Sequence, residues 1–152
     1  MLLKEIVEQK NFAFYESAEN WKDAIRKSCR PLAENGAIQI EYAERVIECI
    51  EIYGPYIVIL PGVAMPHCNE GCELANSTVI GFTKFNKEVV FDADEDKKAT
   101  LFFTLAATDP EKHLENLQKL SAMLENDMIL ECLFRAESEG DLLRIDNYME
   151  KL

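Results

Sequence analysis

Positive charge is scarce in this chain: 16 lysines and arginines stand against 28 aspartates and glutamates, a formal net charge of −12 over 152 residues. No run of basic residues gathers the few cations into a patch, so nucleic acid and anionic membrane surfaces meet repulsion over most of the molecule. Long apolar runs are missing as well, and no segment approaches the ~20 residues that a helix needs to span a bilayer. The opening MLLKEIVEQK lacks the n-region, h-region and cleavage site of a secretory signal, from which a cytoplasmic location is expected. The five cysteines, at 29, 49, 68, 72 and 132, are odd in number and irregular in spacing, which speaks against a disulfide framework. Cys29, Cys49 and Cys132 fall on helical patterns and are expected as small apolar core residues. With no Gly/Ser-rich linker, low-complexity tract or internal repeat, residues 1–152 are expected to form a single domain.

What is present is alternation of helical and strand periods. Trp21, Ala24, Ile25, Cys29 and Leu32 make one helical face, with Ser17 and Asn20 as candidate caps. From Glu41 to Tyr53 a second amphipathic helix turns Tyr42, Ala43, Val46, Ile47, Ile50 and Tyr53 inward and a stripe of glutamates outward. After Gly54-Pro55 come short apolar runs at 56–60 and 63–65, broken by Pro61-Gly62, which read as strands. Val79–Phe85 and Glu88–Phe91 read as a strand pair joined by a tight turn at Asn86-Lys87, and Ala99–Ala107 as a strand buried on both faces. Asp109-Pro110 then opens a helix carried by Leu114, Leu117, Leu120 and Leu124, and two more helical patterns follow at about 127–136 and 139–151. The sum is an α/β layered domain, a mixed five-stranded sheet flanked by helices on both faces.

Only two histidines occur, and both fall where strands end. In GVAMPHCNEG, Pro66 biases Met65 toward an extended backbone and delivers His67 at the edge where the chain turns into a polar loop. His113 lies in the first turn of the helix that begins at Pro110, on the side of Leu117, Leu120 and Leu124, near the positive end of a helix dipole. A solvated loop histidine and a satisfied core histidine are the plain alternatives for the two. Two neutral imidazoles at strand ends also suit phosphoryl transfer: one ring nitrogen attacks phosphorus and the other ring donates to the phosphoryl oxygens. That chemistry requires no metal or cofactor.

The segment GVAMPH resembles the G-x-[AV]-[IVLM]-P-H motif of enzyme IIA components of the bacterial phosphotransferase system (PTS), in the mannitol/fructose class. The resemblance extends over nearly the whole chain: the LLKEIV opening, the helix pair before the motif, the apolar strand, and His113 in DPEKHLENLQKLSAML. It implies that His67 accepts a phosphoryl group from the histidine-containing phosphocarrier protein and passes it to a cysteine of a cognate enzyme IIB. It implies too that His113 stabilises the phosphoryl group in transit, and that the sugar is bound by a membrane enzyme IIC permease and never by this domain. The short chain and the non-glycine residue after the histidine look most like the ascorbate (pentitol-like) branch.

Two positions depart from that pattern. Mannitol-type relatives carry an arginine where Glu51 aligns here, Arg45 being the nearest arginine on the same helix, and many relatives have glycine where this chain has Cys68. Three other functions remain open on the residues. Cys68 and Cys72 with His67 form HCNEGC, three soft groups for a metal, although no second Cys/His pair at zinc-finger spacing appears. A cysteine nucleophile with a histidine base is a second, and a regulator whose partner binding follows the phosphorylation state of His67 is a third. Val63, Met65 and Phe85 are candidates for an apolar contact patch beside His67, or for plain core.

Overall fold

The computed structural model describes residues 1–68 and 73–152. In chain order the elements are α1 (Leu2–Glu8), β1 (Phe12–Tyr15), α2 (Trp21–Glu34), α3 (Tyr42–Tyr53), β2 (Val58–Leu60), β3 (Gly62–Ala64), β4 (Val79–Asp92), β5 (Lys97–Ala106), α4 (Pro110–Glu125), α5 (Asp127–Arg135) and α6 (Glu139–Glu150). The sheet order is β1-β4-β5-β3-β2. β1 runs parallel to β4 and β3 parallel to β5, while β4/β5 and β2/β3 are antiparallel, so the sheet is mixed and five-stranded, as expected.

Side chains alternate across a strand, and β5 uses both faces. Leu101, Phe103 and Leu105 join Leu3, Ile6, Leu120, Met123, Leu133 and Leu142 from α1, α4, α5 and α6. Phe102 and Ala106 join Ala24, Ile25, Leu32, Val46, Ile47 and Ile50 from α2 and α3. Helices therefore cover both faces, and Phe82, Phe85, Phe102 and Phe103 are fully buried between them. Lys84, on the β4 row that faces α5 and α6, is buried with its Nζ donating to the Ala136 carbonyl at 2.6 Å, and burial holds its ionisation below the ordinary lysine range.

Of the two candidate caps of α2, Asn20 does the work: its side chain accepts from the Asp23 N–H at 2.8 Å. The glutamates of α3 lie exposed, as the pattern predicts, but Tyr53, the last residue of the helix before Gly54, is exposed too. Leu114 is 57% exposed rather than buried. It sits about 120° around α4 from Leu120, whereas His113, one heptad before Leu120, shares the inward face. Cys132 is exposed for the same geometric reason, since α5 buries Ile129 and Leu133. Cys29 and Cys49 are buried, and burial pushes the Cys29 thiol up to about 12.

The hairpin expected at Asn86-Lys87 is not there. β4 continues through it with a shift of register between Lys84 and Val89, and Glu16 holds the irregular stretch by accepting from the Asn86 side chain at 2.7 Å and the Lys87 N–H at 3.0 Å. The chain reverses between Asp92 and Lys97 instead, where Asp92 Oδ1 accepts from the N–H groups of Asp94 and Glu95 and Asp96 takes a positive φ of 55°.

Candidate functional site

His67 is delivered by a short strand whose first residue has to be glycine. Gly62 adopts φ +86°, a left-handed conformation, and a Cβ there would stand 2.8 Å from the Phe134 ring. From this turn β3 runs parallel beside β5 with Val63 opposite Leu101 and Ala64 opposite Phe102. The anchoring continues past the strand end: the Met65 N–H donates to the Ile57 carbonyl at 2.8 Å, and the Pro66 carbonyl accepts from the Leu105 N–H at 2.9 Å. His67 follows, half-buried, three residues beyond Ala64. Its Nδ1 lies 2.5 Å from the Met65 carbonyl oxygen. A carbonyl only accepts, so Nδ1 carries a proton, and in the neutral form of the ring the lone pair therefore sits on Nε2. The Tyr56 hydroxyl donates to the His67 carbonyl, and its ring meets the imidazole edge-on with centroids 5.1 Å apart.

His113 is delivered by β5 and α4. β5 ends at Ala106, and the Thr78 hydroxyl gathers the next turn by accepting from the N–H groups of Thr108 (2.9 Å) and Asp109 (2.8 Å). Asp109 caps α4 and Pro110 starts it. His113 donates its N–H to the Asp109 carbonyl at 3.0 Å and is half-buried. The parallel pairing of β3 and β5 thus brings both histidines to the same end of two neighbouring strands. The helix N-terminus itself is less open to an anion than the sequence implies, because Asp109 Oδ1 already accepts from the N–H groups of Glu111 and Lys112. Thr78→Val keeps the shape and removes the acceptor of two N–H groups, so a loss of about 1–3 kcal/mol is expected in denaturant unfolding.

The expected contact patch is only partly formed. Val63 and Phe85 are fully buried in the core, Val63 in the cluster formed by β5 and the helices α1, α4, α5 and α6, and Phe85 against Phe102 at 5.1 Å between centroids. Met65 is half-buried and lines a groove of about 570 Å³ with Ile59, Leu60, Leu117, Leu124 and Leu130, among others. Ile59, Leu60 and, outside the groove, Leu114 are exposed.

Glu51, at the departure from the mannitol-type pattern, turns to α2 and pairs with Lys22 at 3.2 Å. Arg45 lies 3.7 Å from Glu48 and 3.6 Å from Glu73. Cys68 is half-buried against the α2/α3 side of the core. Cys72 lies outside the described residues, as do Asn69, Glu70 and Gly71 of the HCNEGC segment. Among the described residues no group of three or more His, Cys, Asp or Glu side chains is arranged to hold a metal ion, and no helix is long and apolar enough to cross a membrane.

Residues 5–147 match the family described as the phosphoenolpyruvate-dependent sugar phosphotransferase system, EIIA 2. The chain belongs to this family. The mannitol-specific cryptic phosphotransferase enzyme IIA component of Escherichia coli strain K12 is 32% identical over 145 residues, 95% of this chain and 97% of that one. The solution structure of the mannitol-specific cryptic enzyme IIA from Escherichia coli matches with a TM-score of 0.83 over 95% of this chain and 97% of the other. The ascorbate-specific PTS EIIA component of the same strain is 25% identical over 139 residues, 91% of this chain and 90% of its own length. The protein is thus an enzyme IIA component, a member of a phosphotransferase family, with the α/β fold of that family. The sequence pattern marked both histidines of this enzyme IIA but neither Tyr56 nor Thr78. A tyrosine in a turn and a threonine before a strand carry no distinguishing period, and only the paired strands bring them to the site.

Proposed function

We propose that this enzyme IIA, acting as a single domain over residues 1–152, is a cytoplasmic phosphocarrier. His67 takes the phosphoryl group from the histidine-containing phosphocarrier protein and hands it to a cysteine of a cognate enzyme IIB, which serves a membrane enzyme IIC. The observation that carries this is the Nδ1–H of His67 bound to the Met65 carbonyl, which leaves Nε2 as the only ring nitrogen with a lone pair to offer.

In the first transfer that lone pair forms a bond to phosphorus while the donor's N–P bond breaks, its electron pair returning to the donor imidazole. In the second, the enzyme IIB thiolate attacks the same phosphorus and the N–P electrons return to Nε2. The Met65 carbonyl keeps the Nδ1 proton in place through both steps and stabilises the ring while it carries the substituent. His113 donates to the phosphoryl oxygens as charge spreads over them. Neither step calls for a metal or cofactor. Two partners must reach the same nitrogen in turn, which suits a half-exposed histidine two residues after Met65, which lines an apolar groove with Ile59 and Leu60, better than a closed pocket.

Ascorbate-type uptake is supported by the non-glycine residue, Cys68, after the acceptor. The higher identity to the mannitol-specific relative favours a hexitol instead. Sugar-dependent phosphorylation in membranes holding either cognate permease decides between them. A regulator that changes partners on phosphorylation of His67 shares the first transfer and lacks the second, so delivery to an enzyme IIB separates it from a transporter component.

Cys68→Ser is expected to leave phosphoryl transfer within about threefold of wild type, an effect worth under ~1 kcal/mol in the barrier. Loss of activity in that variant would instead support a thiol nucleophile or a metal ligand at Cys68.

A further inference from the structure

The three residues that present the acceptor are each tied down through the main chain. Met65 is held through its N–H by Ile57 and Pro66 through its carbonyl by Leu105, both in the manner of a sheet ladder. β3 ends at Ala64, so by His67 the chain has passed beyond the ladder. The anchor there comes from a side chain, the Tyr56 hydroxyl, which donates to the His67 carbonyl. The same side chain bounds the imidazole, its ring standing at 83° to the histidine ring. Tyr56 therefore limits both the peptide plane from which His67 projects and the swing of the ring. The hydrogen bond from Nδ1 to Met65 forms only if both are fixed.

We infer that Tyr56 is the positioning residue of the phosphoryl acceptor: its hydroxyl and ring together hold His67 in the one orientation that points the Nε2 lone pair outward. The inference rests on His67 being the acceptor. Tyr56 does not touch the phosphoryl group in this arrangement, since its hydroxyl is engaged by the His67 carbonyl. Burial raises its ionisation well above the ordinary phenol range, with the thiols of Cys49 and Cys68 adding to the shift, so the hydroxyl remains a donor throughout the neutral range.

Two variants separate positioning from packing. Tyr56→Phe keeps the ring and removes only the O–H. Tyr56→Leu removes both. Single-turnover transfer from the phosphorylated histidine-containing phosphocarrier is measured for each, together with the ring 15N spectrum of His67. For Tyr56→Phe the rate at saturating donor should fall roughly tenfold to a hundredfold, as expected for a displaced reacting group, with the donor concentration at half-saturation unchanged. The proportion of Nδ1–H tautomer should fall with it. Tyr56→Leu should fall further and lose the ring-current shift on the imidazole protons. A Tyr56→Phe protein that melts at a lower temperature yet keeps the wild-type rate and tautomer overturns the inference and leaves Tyr56 a packing residue. If wild type itself accepts no phosphoryl group at residue 67, the phosphocarrier function fails. The tautomer comparison still decides whether Tyr56 fixes the ring, an unchanged tautomer counting against it and a shifted one for it.

Discussion

Replacing His67 by alanine is expected to abolish acceptance of the phosphoryl group, the largest effect of any single substitution in this protein. With Nδ1 donating to the Met65 carbonyl, Nε2 is the ring nitrogen of His67 that can offer a lone pair, and the variant deletes it. Where an enzyme works through a covalent intermediate, loss of the nucleophile costs on the order of 10⁶ in rate, which in a transfer assay is no signal. Folding should survive. His67 lies half-buried beyond the last residue of β3, and the anchors on either side, Met65 to Ile57 and Pro66 to Leu105, run through the backbone and do not need its ring. The check is intact mass after incubation with the phosphorylated carrier, beside circular dichroism showing an unchanged fold. Phosphorylation persisting in His67→Ala would move the acceptor elsewhere, His113 first.

The second large effect is expected at His113. His113→Ala should slow transfer about tenfold to a thousandfold, corresponding to ~1.4–4 kcal/mol of transition-state stabilisation from one well-placed donor. The amides that would otherwise meet an anion at the start of α4 are already occupied by Asp109, so nothing on that helix end substitutes for the lost imidazole. Stability should change by less than ~1 kcal/mol, because the residue is half-exposed and the turn around it is held by Thr78 and Asp109. His113→Gln, which retains a donor at the end of a chain of comparable reach, should recover part of the rate. A wild-type rate in His113→Ala would reduce the site to His67 alone.

The parts of this fold that announced themselves are those with a long period or a strong boundary. α2 and α3 show their faces over several turns, and from Ala99 on β5 is apolar except at Thr100 and Thr104 because it is buried on both sides. β1 did not stand out: FAFY is four residues long, all half-buried at a sheet edge, too short for either period to declare itself. The irregularity in β4 misled for a different reason. Asn86-Lys87 has turn chemistry, but Glu16 and the neighbouring strands hold the backbone extended there, while the true reversal follows Asp92, whose side chain replaces the backbone bonds of the turn. In the site, the two histidines were legible because histidine is rare in this chain and both lie at strand ends. That they come to one end of adjacent strands depends on β3 pairing with β5, a contact some 38 residues apart in sequence, between Ala64 and Phe102. The partial filling of the α4 N-terminus by Asp109 was visible in principle, since a capping aspartate takes up the very amides that an anion would use.

The most direct measurement is the mass of the intact wild-type protein after incubation with phosphoenolpyruvate and the general phosphotransferase proteins, followed by mild acid and by peptide mapping. A gain of one phosphoryl group on His67 that disappears in acid is the predicted result. No gain, or an acid-stable gain on another residue, would contradict it.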